Sequence, residues 1–330
     1  MAKNIEQLAA QLSHFYNRTS LGNFPTPVMA TSLSGLEAHP QIWVKHDDLS
    51  SDIYGGNKIR KLEFLLKASE RPVLTFGPLG SHHVYATALH AKTLGRSTAA
   101  ILVPQPMTPH HRMIHDRILK ICNPVIVLSA RPSSWVSLLK TIATPMMDRS
   151  APYQICPPGG SNPMGTLGYV IGALELASQV NAGQLPPPQK VFVPLGTGGT
   201  SVGIAIGLAM AGLATETVAV RVVPEIALPN AMLSLLVART LRLIRKAGLP
   251  APGRHQIRFT VQTGFSTQYA ITNPLADHAM QLASDAGISL ETTYSAKAMA
   301  ALIFHARTAP PTDGPYLFWQ TFADVCDEQA

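Results

Sequence analysis

The sequence predicts an α/β protein of two open domains, each built on a parallel sheet. Short β-type runs alternate with helix-length segments from residue 73 onward, as strand–helix crossovers require. The chain is 330 residues long, enough for two such cores. Hydrophobic residues make up 46% and charged residues only 14%, which excludes intrinsic disorder and a coiled coil.

The elements follow in order. A polar helical pattern spans Met1–Asn17, Thr26-Pro27 opens a stretch ending in a strand at Ile42–Lys45, and the turn Gly55-Gly56 leads into a helix over Lys58–Ala68. Then come strand Val73–Phe76, helix Ser81–Leu94, strand Thr98–Val103, helix Pro109–Ile121, strand Val125–Leu128 and helix Trp135–Ile142. A second unit runs from Gly165 through helix Leu167–Ala177, strand Val191–Leu195, an apolar helix from Ser201 to about Leu213, strand Thr217–Val223 and helix Asn230–Lys246. Helices over Ala270–Ala286 and from Ala296 close the pattern. Domain boundaries are expected near 69–72 and 157–165.

Val191–Thr215 carries no charge and is long enough to span a bilayer, but Pro194 and the glycine cluster divide it into strand and helix, so no membrane role is expected. The net charge of +7 is diffuse, without basic runs interleaved with aromatics; it suits a small anionic ligand and not a nucleic acid. Cys122, Cys156 and Cys326 lie too far apart for a metal or redox spacing, and no export signal pattern precedes them, which points to a reducing cytoplasm.

Two features carry chemistry. Gly196-Thr-Gly-Gly-Thr-Ser201 follows a buried strand and opens a helix, where backbone N–H groups and the helix dipole converge on an anion. A plain tight turn needs fewer glycines and hydroxyls. Ser201 stands where a dinucleotide motif requires its third glycine, although Glu216 lies at a spacing that suits a ribose-binding acid, which keeps a nicotinamide oxidoreductase open. The second feature is Lys58. At 100° per residue it projects inside the apolar arc of Ile59, Leu62, Leu65 and Leu66, while Arg60 and Lys67 face away. Either it reaches solvent from the first helical turn, or desolvation favours its neutral, nucleophilic amine. An aldehyde for Lys58 and a phosphate for the loop together describe pyridoxal 5′-phosphate.

Elsewhere Ser81 reads as a helix N-cap, and His82 and His83 point to different sides of that helix. His111 and His115 have half of a zinc-site spacing without its other ligands, so no metal is expected.

The segments Val44-Lys-His-Asp-Asp-Leu49 and Gly55-Gly-Asn-Lys-Ile-Arg-Lys-Leu-Glu63 resemble the lysine motif of the pyridoxal-phosphate family containing D-cysteine desulfhydrase and 1-aminocyclopropane-1-carboxylate deaminase. The resemblance continues through Gly80-Ser-His-His83, Pro158–Gly165, the glycine loop and Leu290–Ala298. It implies the tryptophan synthase β-like arrangement (fold type II), with residues 1–69 and 165–330 forming a large cofactor-binding domain and 70–164 a small inserted one. Lys58 matches the lysine that holds the cofactor as a Schiff base, and Gly196, Thr197, Gly198, Gly199 and Thr200 match its phosphate loop. Ser81 matches a serine near the substrate, Tyr294 and Tyr269 match active-site tyrosines, and Thr321 matches a threonine against the pyridine nitrogen.

The chain also departs from the family. His82 replaces an asparagine that contacts the cofactor's phenolic oxygen, Thr321-Phe322-Ala323 replaces Thr-Gly-Gly, and Glu291-Thr-Thr-Tyr294 replaces Asp-Pro-Val-Tyr. Ser295 stands in the substrate pocket where desulfhydrases carry a small hydroxyl residue and deaminases a glutamate. The resemblance therefore implies elimination on a small amino acid, D-cysteine foremost, by a homodimer. Ring opening of the cyclopropane substrate and a catalytically silent homologue stand as alternatives.

Overall fold

The computed structural model describes residues 5–37, 41–67, 69–128, 152–266, 271–310 and 313–324. The chain divides into two compact units, Met1–Phe64 with Ser161–Val325 and Leu65–Gly160 with Cys326–Ala330.

Among the described residues the first unit holds six strands: β1 (Val28–Thr31), β2 (Ile42–His46), β7 (Lys190–Leu195), β8 (Glu216–Arg221), β9 (Phe259–Gln262) and β10 (Tyr316–Gln320), in spatial order β1-β2-β10-β7-β8-β9. Only the β1–β2 pair is antiparallel. Successive residues feed opposite faces, as the strand period dictates. Phe192, Val218, Tyr316 and Phe318 join one core with helices α8 (Pro274–Asp285) and α9 (Ser295–Thr308). Val191, Val193, Leu317 and Trp319 pack instead with α5 (Pro163–Asn181) and α6 (Gly199–Met210), while α1 (Ile5–Phe15) and α7 (Asn230–Lys246) extend that layer. Helices on both faces bury a parallel sheet, hence its uninterrupted apolar strands.

Among the described residues the second unit holds a four-stranded parallel sheet, β5 (Val125–Val127), β4 (Thr98–Val103), β3 (Val73–Pro78) and β6 (Gln154–Cys156) in that spatial order. Helix α3 (His82–Thr93) packs on β3 and β4 and against α4 (Pro109–Ile121).

Val191–Thr215 resolves into β7 and α6. Glu225–Lys246 is 22 residues long and apolar enough by composition to cross a membrane, yet α7 buries Leu233, Leu241 and Ile244 in the first unit's core. Strands β1, β6, β9 and β10 fall where the sequence reading places none. Helix boundaries move to their caps: α8 starts at Pro274 because Asn273 accepts from the Ala276 N–H at 3.0 Å, and α5 starts at Pro163 under an Asn162 cap. The expected helix Trp135–Ile142 lies outside the described residues.

Helix α2 (Ile59–Leu65) differs most from its reading. Every residue from 59 to 66 is buried, so Arg60 faces no solvent. A helix enclosed on all sides has no wet face for its charges, and each must find a partner inside. Arg60 pairs with Asp47 at 2.8 Å and Glu175 at 2.9 Å, and Glu63 pairs with Arg18 at 2.7 Å.

Candidate active site

Two glycines set the turn that delivers Lys58. A Cβ on Gly55 would lie 2.0 Å from the Asp48 carbonyl oxygen, and Gly56 adopts φ +87°, with its would-be Cβ 2.9 Å from the Thr321 oxygen. No L side chain tolerates either position without displacing backbone. The Gly56 N–H donates to the Asp47 carbonyl at 2.7 Å and the Asn57 N–H to the Thr321 carbonyl at 2.9 Å. Lys58 sits in the turn just before α2, its carbonyl accepting from the N–H groups of Lys61 and Leu62. The side chain is half-buried and does not simply reach solvent.

Its amine donates to the Asn57 side-chain oxygen, and the Asn57 amide donates in turn to Thr200 Oγ1 at 3.2 Å. The lysine and the glycine loop, some 140 residues apart in sequence, are thus two hydrogen bonds apart in space. Burial pulls the Lys58 amine down from 10.5 to about 8, and the Glu291 carboxylate partly restores it. Glu291 is itself held by the N–H groups of Thr293, Tyr294 and Ser295, each at 2.7 Å, at the start of α9.

The loop closes around the first turn of α6. Gly198 caps it at φ +86°. Cβ atoms on Gly196, Gly198 and Gly199 would fall 3.0 Å from the Tyr294 ring, 2.6 Å from Leu233 and 2.6 Å from Ser161 Oγ. Ser161 Oγ accepts from the Gly199 N–H at 3.2 Å and from Lys61 Nζ at 3.3 Å, and lies 2.6 Å from Thr197 Oγ1. Backbone N–H groups at a helix start, three hydroxyls and a lysine cation are the donor set of a phosphate site. A desolvated amine beside it is the partner of an aldehyde. The residues present fit pyridoxal 5′-phosphate at both ends.

Lys58, Gly196–Thr200, Tyr294 and Thr321 are brought together in the first unit. Ser295 is there too, but fully buried, its hydroxyl turned to Glu291. Ser81 and His82 lie in the second unit. Ser81 caps α3, accepting from the Val84 N–H at 3.4 Å, in a turn where Gly80 takes φ +70°. The adjacent histidines diverge as expected: His82 Nε2 meets His110 Nε2 at 3.1 Å, while His83 is buried against Thr75 and Cys156. Tyr269 lies outside the described residues. His111 completes the capping box of α4, and no group of three or more His, Cys, Asp or Glu suited to a metal occurs among the described residues.

Glu216 speaks against the nicotinamide alternative. It pairs with Lys190 at the N-terminal end of β7, whereas the loop leaves the C-terminal end after Leu195, roughly 17 Å away along the strand. A ribose-binding acid belongs at the loop's end of the sheet.

Sequence reasoning assigned no role to Asn57, Lys61, Ser161 or Glu291. Lys61 had a signal, since it lies three residues beyond Lys58 in the segment that the sequence reads as one helix and so shares its side. The other three are chosen by tertiary pairing.

A lysine paired with a phosphate cradle on a doubly covered parallel sheet defines a class, the Schiff-base enzymes that carry a phosphorylated aldehyde. A family profile described as pyridoxal-phosphate dependent enzyme matches residues 19–316, and the chain belongs to that family, with pyridoxal 5′-phosphate as its cofactor. It is 31% identical over 309 residues to the nocardicin C-9′ epimerase of Nocardia uniformis subsp. tsuyamanensis, covering 89% of this chain and 90% of that protein. It is also 31% identical over 330 residues to the D-cysteine desulfhydrase of Serratia proteamaculans, covering 96% of each. Among solved structures it superposes on an ACC deaminase homologue with a TM-score of 0.78 and 26% identity, over 98% of this chain and 96% of the other. The fold is that of the fold type II enzymes.

Proposed function

We propose that this enzyme is a lyase acting on a small amino acid, and that its reaction is desulfhydrase-like elimination in which D-cysteine and water give pyruvate, ammonia and hydrogen sulfide. The observation that carries the reading is the chain from Lys58 through Asn57 to Thr200, which sets a weakly basic amine beside an anion cradle.

When bound, pyridoxal 5′-phosphate supplies a ring that accepts electrons from an amino acid's α-carbon. The N–H groups and hydroxyls of Gly196–Thr200 would hold its phosphate, with Ser161 and the Lys61 cation beside them, and Lys58 would hold its aldehyde. With a substrate bound, Lys58 Nζ would serve as the base that accepts its α-proton. A midpoint of about 8 keeps a useful neutral fraction near neutral pH. Tyr294, whose ring edge covers Gly196, and Tyr269 position the substrate and assist departure of the β-substituent. Ser81 is assigned to the substrate carboxylate and His82 to the cofactor, while Thr321 offers its ring nitrogen a neutral hydroxyl. Ser295 acts on the pocket wall through Glu291. The desulfhydrase relatives, at about 30% identity over more than nine-tenths of the chain, support the choice of leaving group. The same reading makes the enzyme a cytoplasmic homodimer, for which light scattering should return twice the 35.3 kDa chain mass.

The test is borohydride trapping of the loaded enzyme with peptide mapping, followed by assays of D-cysteine, L-cysteine and 1-aminocyclopropane-1-carboxylate for 2-oxo acid and sulfide. Label at Lys58 and sulfide from D-cysteine are expected. Preferred turnover of the cyclopropane substrate refutes the elimination reading. The epimerase relative supports a second reading, in which the α-proton is removed and returned. Deuterium exchange at the α-carbon without 2-oxo acid would select it.

A further inference from the structure

Asp47 is fully buried and receives an unusual number of donors. Arg60 reaches its carboxylate with Nε at 3.0 Å and Nη2 at 2.8 Å, Tyr169 OH and Trp319 Nε1 each at 2.7 Å, and Thr26 Oγ1 at 3.1 Å. Its carbonyl oxygen takes the Gly56 N–H. These donors belong to the elements that bracket Lys58. Gly56 lies two residues before it and Arg60 two residues after. Trp319 is the penultimate residue of β10, two residues before Thr321, whose carbonyl accepts the Asn57 N–H. Tyr169 comes from α5. Glu175, also on α5, balances the cluster by binding Arg60 and Lys45; burial opposes its ionisation, but those cations hold it down at about 2.

A carboxylate with this many donors has one orientation available to it. We infer that Asp47 is a positioning residue for Lys58: by clamping the Gly55–Lys58 turn, the first turn of α2 and the end of β10 to one buried anion, it fixes the depth at which the amine is held. This rests on the reading of Lys58 as the cofactor lysine, and the test separates the two.

Tyr169→Phe deletes one donor to the Asp47 carboxylate without changing a charge or opening a cavity, Trp319→Phe deletes another at the cost of a cavity where the buried indole sat, and both supplement Asp47→Asn, which risks failing to fold. The full chain, stripped of cofactor, is labelled briefly with formaldehyde and cyanoborohydride across pH 6–11, and methylation of the Lys58 peptide is followed by mass spectrometry. The charged neighbours, Glu291 on the α9 side, Lys61 on α2 and the Arg60–Glu175–Lys45 cluster, are common to all these proteins, and only Asp47→Asn removes a charge. The wild-type midpoint is expected at about 8. In Tyr169→Phe and Trp319→Phe, a loosened turn admits water and should move the midpoint upward by half a unit or more, with Asp47→Asn, where folded, moving further. Lower melting temperatures with an unmoved Lys58 midpoint would reduce Asp47 to a purely structural role and overturn the inference. The readout needs no cofactor, so a borohydride label on some other lysine would refute the reading of Lys58 without deciding this result.

Discussion

Replacing Lys58 with methionine should stabilise the cofactor-free protein at neutral pH. The unfolded amine titrates near 10.5 and the folded one at about 8. Below pH 8 both states are protonated and the folded state bears the whole cost of a desolvated ammonium; above 10.5 neither is charged and the cost is gone. The shift corresponds to roughly 3 kcal/mol. Deleting the amine also leaves the Asn57 side-chain oxygen without this donor, a loss of about 1 kcal/mol, so the net gain at pH 7 is about 1–2 kcal/mol. Denaturant unfolding of both proteins, followed by tryptophan fluorescence, to which Trp319 in the first unit's core contributes, measures it directly. The gap should close and reverse slightly by pH 10.5. A Lys58→Met protein no more stable than wild type at pH 7, or a gap that does not change with pH, would show that the amine is hydrated.

Glu291→Gln removes the carboxylate that raises the Lys58 amine, so the acid limb of the pH–rate profile should move to lower pH; movement upward would contradict the assignment. Gly198→Ala forces a side chain to φ +86° with its Cβ 2.6 Å from Leu233, which should cost about 1–3 kcal/mol and weaken cofactor binding measured by absorbance titration. Ser81→Ala loses the α3 cap, a stability cost of about 0.5–2 kcal/mol, and under the proposed role should lower kcat/KM far more than that cost explains, whereas Ser81→Thr retains the cap.

The sequence was most readable where chemistry is local. A glycine-rich strand–helix turn and a lysine entering an apolar arc each announce themselves within about ten residues; the turn opens α6 as read, whereas Lys58 stands just before α2 and not on it. Asn57 was invisible for the opposite reason: its side chain matters because it bridges to Thr200, 143 positions away. Strand β10, buried along all five residues between two other strands, shows no alternation of polarity to mark it. Arg60 misled because an amphipathic projection assumes that a helix has a wet side, and α2 has none.

Buried Lys45 shows by contrast why the proposed function makes Lys58 the reactive lysine. Lys45 is fully buried, but its ammonium donates to Glu175 at 2.5 Å, the Thr26 carbonyl at 2.6 Å and Gln179 at 2.8 Å, so its three donors are placed and a carboxylate compensates its charge. Such a lysine is a structural cation. Lys58 instead donates to a neutral amide oxygen, while Glu291 directs its carboxylate toward three backbone N–H groups. With burial removing water and no direct carboxylate contact among the described residues to stabilise the charge, the proton on Lys58 is weakly held. Converting Asn57 to aspartate would supply the contact that Lys45 already has. The Lys58 amine should then titrate well above 8, and the enzyme should lose rate at neutral pH while still folding.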